Sequence, residues 1–148
     1  MKGRLILLVG SLFVITMTSG IAGVARADGP KCTPALLDGF YIFTASGFTV
    51  VGGVAQPSAI VEQIRFNGDG TADVPGGRVA VNGNIFPTLG AGTYNIAALA
   101  SPNRACEGSL AFPGVNLYLF IPPDAKEIQV IRTDTSTVFR GTATLVSQ

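Results

Sequence analysis

The chain has 148 residues, with 10 basic and 9 acidic side chains, two cysteines, and neither histidine nor tryptophan. The absence of histidine excludes Ser-His and Cys-His nucleophilic machinery and removes the commonest metal ligand, so we expect neither a metal site nor a cofactor. The scattered charges form no basic stripe that could follow a phosphate backbone, and this excludes nucleic acid as an expected partner.

The N-terminus has the pattern of a secretory signal peptide. Lys2 and Arg4 form a basic region, residues 5–24 are uncharged, and Ala25-Arg26-Ala27 has the small-x-small pattern of a cleavage site. We predict removal of residues 1–27 and export to the periplasm or the extracellular space, with no membrane span left afterwards. A membrane anchor is the alternative, because about 20 apolar residues can span a bilayer.

The mature chain, residues 28–148, has the length of a single domain. Its two cysteines, Cys32 and Cys106, predict a disulfide, because an even pair in an exported protein is usually bridged. A redox or metal-binding thiol pair is the alternative, but it would need a close partner such as a second cysteine two residues away.

The mature chain is predicted to be all-β. Glycine, proline and asparagine interrupt it at short intervals, and Val, Ile, Thr, Phe and Tyr fill the segments between them. A short helix over Pro34–Leu37 is the only helical signal. This pattern favours a single closed or nearly closed antiparallel barrel of about eight strands, with a β-sandwich as the alternative. The predicted strands are Gly39–Ser46, Ser58–Phe66, Gly77–Val81, Gly92–Ala98, Gly108–Phe112, Val115–Ile121, Glu127–Thr133 and Val138–Val146.

The segment Arg65–Asp73 has the alternating acidic, amide and glycine residues of a calcium-binding loop. With Gly70 at the sixth position of such a loop, Arg65 stands at the first position and Gly76 at the twelfth, where carboxylates are needed. A hairpin turn explains the segment better, with Asn67, Gly68 and Gly70 in left-handed conformations. A weak surface cation site on Asp69 and Asp73 is the alternative.

Two charged residues interrupt apolar strand faces. A period of two places Glu62 with Ile60 and Ile64, and it places Arg132 with Ile128 and Val130. A charge on an apolar face is either paired or shifted in pKa. One hypothesis is that Glu62 and Arg132 meet inside the barrel and bind or polarise a ligand. The other is a structural ion pair, or a face that opens to solvent at its end, since buried pairs are as often structural as functional.

The strand Val115–Ile121 is apolar on both faces apart from Asn116. One face must fill the core, so Tyr118 and Phe120 are predicted to point outward. A protein partner, a second copy or a loop could cover them, and a covered strand inside a sandwich is the alternative.

Six segments, taken in order, resemble a group of small exported bacterial proteins of unknown function. This group is similar to closed barrels of the broad lipocalin or allene-oxide-cyclase kind, called calycin-type barrels. Lipocalins hold apolar ligands inside the barrel, so the resemblance implies such a ligand. The tryptophan typical of the first lipocalin strand is absent, with Tyr41 in its place, and no catalytic residue carries over. The segments are Leu37–Phe43, Ile64–Gly70, Gly92–Ile96, Cys106–Leu110, Ile131–Asp134 and Gly141–Ala143.

The favoured interpretation is an exported barrel that binds a small apolar molecule without catalysis. One alternative is a structural or protein-interaction module with a filled core, as a homo-oligomer or with another protein. The other is a cyclase- or isomerase-like enzyme with Glu62 as acid or base. The volume of the interior separates the first two interpretations: below the few hundred Å³ of an ordinary ligand pocket, the binding interpretation fails. The residues predicted to line it are Tyr41, Phe43, Ile60, Glu62, Ile64, Phe66, Tyr94 and Arg132.

Overall fold

The computed structural model describes residues 31–99 and 105–148, which fold as a closed barrel of eight antiparallel strands in sequence order. A short 3-10 helix, Pro34–Leu36, precedes the barrel. The predicted all-β closed barrel is confirmed, whereas the predicted signal peptide lies outside the described residues. The strands are β1 (Asp38–Val51), β2 (Val54–Asn67), β3 (Thr71–Val81), β4 (Asn84–Ala98), β5 (Cys106–Phe112), β6 (Val115–Ile121), β7 (Glu127–Arg132) and β8 (Thr137–Ser147).

The first four strands are much longer than the next three. Strands β1 to β4 have 11 to 15 residues, whereas β5, β6 and β7 have 6 or 7. The hairpins β1–β2 and β3–β4 therefore project beyond the short strands at one end of the barrel, which we call the open end. Their tips are the turns Gly52-Gly53 and Asn82-Gly83, where positive φ angles close two-residue loops.

The opposite end of the barrel, which we call the closed end, is filled by aromatic side chains. The Phe66 ring stands edge-on to Tyr41 and to Tyr94, with ring centroids 5.3 and 5.0 Å away. The Tyr94 hydroxyl donates to the carbonyls of Pro34 and Leu37 at 2.9 and 2.8 Å, and this holds the 3-10 helix across the end. Leu37 is completely buried beneath it.

Tyr41 ties the closed end to the loop between β6 and β7. Its side chain is 1% exposed, and its hydroxyl donates to the Ala125 carbonyl at 2.9 Å. Burial, assisted by Tyr94 and nearby carboxylates, raises the pKa of Tyr41 to about 12. The hydroxyl is therefore a neutral donor throughout the ordinary pH range.

The predicted disulfide between Cys32 and Cys106 is confirmed. It joins the segment before the 3-10 helix to the first residue of β5, with the Cα atoms 5.6 Å apart. Cys106 is fully buried. The bridge therefore fixes the N-terminal segment against the closed end.

The acidic, glycine-rich segment forms the β2–β3 turn, as predicted. The Asp69 carboxylate accepts hydrogen bonds from the Thr71 amide at 2.8 Å and from the Thr71 hydroxyl at 2.6 Å, and these hold the pKa of Asp69 below its ordinary value. Gly68 and Gly70 have positive φ angles. The expectation of a left-handed Asn67 is wrong, because this residue ends β2, and its side-chain amide instead donates to Asp73.

The barrel closes where β1 pairs with β8, the first strand with the last. The register runs from Phe40 opposite Ser147 to Thr49 opposite Thr137. Gly47 lies on this seam, and a Cβ atom there would collide with the backbone of Val138. No helix among the described residues is long and apolar enough to cross a membrane.

Candidate functional site

A cavity of 330 Å³ lies between the projecting hairpins and the short strands at the open end. Apolar side chains form most of its wall. Leu89, which is 76% exposed, stands at its mouth. The lining residues are Phe43, Ile60, Glu62, Val74, Pro87, Thr88, Leu89, Gly90, Phe112, Pro113, Val115, Leu117, Arg132 and Phe139.

Glu62 and Thr88 are brought together by the register of three strands. On β3, Gly77 lies opposite Glu62 of β2 and also opposite Thr88 of β4. A Cβ atom on Gly77 would collide with the Glu62 side chain and the Thr88 hydroxyl. The glycine therefore leaves the space in which these two polar side chains approach each other from either side.

An irregularity in β3 sets this register. The pairing of β3 with β4 shifts between Val74 and Gly77, where Pro75 and Gly76 interrupt the regular ladder. Such bulges re-aim side chains next to sites. Here the shift places Gly77 opposite Thr88.

The Glu62 carboxyl is the buried acidic group of the site. Its side chain is 7% exposed. Burial raises the pKa of Glu62 above its ordinary value, because desolvation disfavours the charged form, and the Thr88 hydroxyl opposes this by a smaller amount. The buried Thr88 oxygen has no hydrogen-bond partner of ordinary geometry within the described residues, so its interaction with the Glu62 carboxyl is weak. A carboxyl of raised pKa can hold or accept a proton near neutral pH.

Arg132 lines the same cavity but is paired elsewhere. Its guanidinium donates to both oxygens of Asp134 at 2.5 and 2.8 Å, and to the Gly114 carbonyl at 3.3 Å. Burial alone would raise the pKa of Asp134, but hydrogen bonds from Arg132 and from the Asn116 amide hold it below its ordinary value. The predicted meeting of Glu62 with Arg132 is therefore wrong as an ion pair: the two ion pairs among the described residues are Arg65–Asp38 and Arg132–Asp134.

The residues predicted to line the interior fall into two groups. Four of them lie on the cavity: Phe43, Ile60, Glu62 and Arg132. The other four, Tyr41, Ile64, Phe66 and Tyr94, are 1%, 1%, 0% and 6% exposed and belong to the packed core away from the cavity. These four residues do not line the described cavity, and their part in ligand binding stays a prediction.

Sequence reasoning missed much of the cavity wall, including Thr88. The predicted fourth strand began at Gly92, so Thr88 was placed in a loop, whereas β4 begins at Asn84. A period of two counted back from the buried Tyr94 would have placed Thr88 on the inner face. Gly90 and Gly92, which lie between Thr88 and Tyr94, and Pro87, which precedes Thr88, concealed this signal.

The outer surface carries its apolar residues mainly on the projecting hairpins. Phe120 points outward as predicted and is 40% exposed, while Tyr118 is half-buried and donates a short hydrogen bond to Glu107. Many of the other exposed large side chains lie toward the open end. They include Phe48, Val51, Val54, Ile85, Phe86, Leu89 and Val138.

The described residues contain no group of three or more His, Cys, Asp or Glu side chains that could hold a metal ion. The chemistry of the cavity therefore depends on one carboxyl, one hydroxyl, a neutralised guanidinium and apolar walls. This set can hold an apolar body and recognise one polar group.

The eight-stranded closed barrel is compatible with a calycin-like fold. Kinship with the lipocalins or the allene oxide cyclases stays a prediction. No protein-family model, no curated protein and no solved structure matches this chain.

Proposed function

We propose that the protein is an exported barrel that binds a small, mainly apolar molecule at its open end, without catalysis. The observation that carries the proposal is a cavity of 330 Å³ with a largely apolar wall. Ligand pockets of small molecules begin at about 300 Å³ and combine apolar walls with a few polar groups. A barrel of about eight strands has room for one small ligand of this kind.

The shape of the barrel supports the same proposal. The closed end is sealed by the Phe66 ring contacts and the 3-10 helix, so its core holds the fold together. The open end has long hairpins that extend past the short strands and shelter the cavity. Stability and binding are thus assigned to different halves of one small barrel.

A pair of tryptophan variants tests the proposal. Ile60 lies on the cavity, whereas its neighbour Val61 points outward and is 56% exposed. The native chain has no tryptophan. We expect the mature protein to bind the fluorescent apolar probe phenylnaphthylamine, Ile60→Trp to abolish binding by filling the cavity, and Val61→Trp to leave it unchanged.

Circular dichroism verifies that each variant is folded, so a loss of binding can be distinguished from unfolding. Equal binding by both variants would place the probe outside the cavity and contradict the proposal. Native mass spectrometry of protein purified from its own host supplies the second test. A retained small molecule in the native protein, and its loss in Ile60→Trp, is the expected result.

An interaction module is the second candidate, and the exposed side chains of the projecting hairpins favour it. Phe48, Ile85 and Leu89 are 55%, 68% and 76% exposed, and apolar patches on soluble proteins often mark contact surfaces. Sedimentation of the native protein and of a Phe48→Ser, Ile85→Ser variant distinguishes this role. A concentration-dependent dimer that the variant loses would support it; a monomer at all concentrations would contradict self-association.

A further inference from the structure

Glu62 is a buried acid without a counter-charge. It is 7% exposed, and neither ion pair among the described residues includes it. Buried charges in proteins are normally paired, because desolvation of an isolated charge is unfavourable. The fold therefore maintains an unpaired carboxyl on the wall of a cavity that is otherwise mostly apolar.

Arg132, the cationic residue on the wall of the same cavity, does not supply the missing positive charge beside Glu62. Its guanidinium binds Asp134 at 2.5 Å, contacts the Gly114 carbonyl, and lies over the Phe139 ring at 5.7 Å from the ring centre. This pair is neutral as a unit. The formal charge of the cavity wall is therefore that of Glu62 alone, and the wall favours a cationic group over an anionic one.

A second unsatisfied group stands beside this carboxyl. The Thr88 hydroxyl oxygen is buried without a hydrogen-bond partner of ordinary geometry in the described part of the chain. Thr88 on β4 and Glu62 on β2 both lie opposite Gly77 of β3, the strand between them. Buried hydroxyls are normally hydrogen-bonded, so this one requires an explanation. A carboxylate only accepts hydrogen bonds and a hydroxyl can also accept through its lone pairs, so the two oxygens together match a donor group with several N–H bonds.

From these contacts we infer that the ligand is a small primary amine with an apolar body. Its ammonium group donates to the Glu62 carboxylate and to the Thr88 hydroxyl, and its body packs against the ring and aliphatic walls of Phe43, Leu117 and Phe139. An ammonium has three donors and no acceptor, so it satisfies both oxygens at once. This inference rests on the proposed function, because it names the ligand class of the same cavity.

Four probes that share a naphthalene ring test the inference by displacing phenylnaphthylamine from the mature protein. They are naphthylmethylamine, naphthylmethanol, naphthoic acid and methylnaphthalene, which differ in charge and hydrogen bonding but little in size. Hydrogen bonds to charged groups contribute enough to predict a preference of roughly 10- to 100-fold for the amine over methylnaphthalene. Naphthoic acid should bind weakest, because its carboxylate meets Glu62.

Isosteric variants assign the preference to its residues. Glu62→Gln keeps the shape but removes the charge. The affinity for the amine should therefore fall to within a few-fold of the affinity for methylnaphthalene, while the affinity for methylnaphthalene stays unchanged. Thr88→Val should reduce the preference by less. Glu127→Gln, which removes an exposed carboxylate that accepts from Gln129 and does not line the cavity, should behave as the unaltered protein.

The outcomes separate the inference from the proposed function. Equal binding of all four probes, or strongest binding of the alcohol or the acid, overturns the amine inference and leaves an apolar binding protein. An amine preference that persists in Glu62→Gln also overturns it. Failure of phenylnaphthylamine and all four probes to bind overturns the proposed function itself.

Discussion

Phe66 is the central ring of the closed end, and its replacement by leucine tests whether that end is the packed core. The ring is completely buried and contacts Tyr94 and Tyr41 edge-on at 5.0 and 5.3 Å. Each such ring pair contributes about 0.5–1.5 kcal/mol beyond the burial of area. Leucine removes both ring pairs and leaves a small gap, so the free energy of unfolding should fall by about 2–3 kcal/mol in total.

Urea unfolding followed by far-ultraviolet circular dichroism measures this loss. The expected change lies in the midpoint rather than in the slope, because the surface exposed on unfolding is nearly unchanged. The melting temperature should fall by about 10 °C for a domain of this size. Binding of phenylnaphthylamine below the midpoint should persist, because Phe66 does not line the cavity.

Phe48→Leu provides the matched control, since the Phe48 ring is 55% exposed on the outer face of β1. Its cost should stay within about 0.5 kcal/mol, as for ordinary surface substitutions. Equal effects of the two variants would refute the assignment of the closed end as the core. Loss of probe binding in Phe66→Leu under folding conditions would refute the division of the barrel into two halves.

Three further predictions concern the bridge and two of the buried titratable groups, Tyr41 and Glu62. Reduction of Cys32–Cys106, which joins positions 74 apart, should cost about 4 kcal/mol, and an unchanged urea midpoint in reducing agent would contradict this. Because the pKa of Tyr41 rises from 10.0 to about 12, its contribution to stability is complete below pH 10.0 and is lost as the pH rises toward about 12. Tyr41→Phe should not lose stability in this way at alkaline pH. If the urea midpoints of the unaltered protein and of Tyr41→Phe changed in parallel across this pH range, the prediction would be contradicted. The pKa of Glu62 is also raised, so the free energy of unfolding falls as the pH rises from the ordinary pKa of glutamate through the pKa in the folded protein. Glu62→Gln should therefore have a higher urea midpoint than the unaltered protein at about pH 8 but not at about pH 4. An equal increase at both pH values would contradict this prediction.

The order and number of the strands could be predicted from the sequence because each turn has its own local signal. Strand β6, Val115–Ile121, has the predicted bounds because Pro113-Gly114 and Pro122-Pro123 flank it. The projecting halves of the first four strands could not be predicted. Gly47, Pro57 and Gly90 lie within strands, where these residue types ordinarily indicate an end.

The candidate site could be predicted in part. A period of two placed Glu62 on the inner face, and this requires only local information. Its neighbour Thr88 depends on the bulge at Pro75-Gly76, which shifts the pairing of β3 with β4 and cannot be read from the alternation of either strand alone. The ion-pair partner of Arg132 is local rather than distant in sequence. Asp134 is only two residues away, so it pairs with Arg132 in preference to a partner across the barrel.

The seam between β1 and β8 has a consequence for the order of folding. Every other strand pair joins neighbours along the chain through a turn or loop, so those pairs form as local hairpins. The β1–β8 pair brings together Phe40 and Ser147, which are separated by almost the whole barrel, and its loop-closure entropy is the largest of the set. Barrel closure is therefore the one non-local strand pairing among the described strands, and we expect it to follow the hairpins. A side chain at Gly47 would interfere with that step while leaving the β1–β2 hairpin free to form.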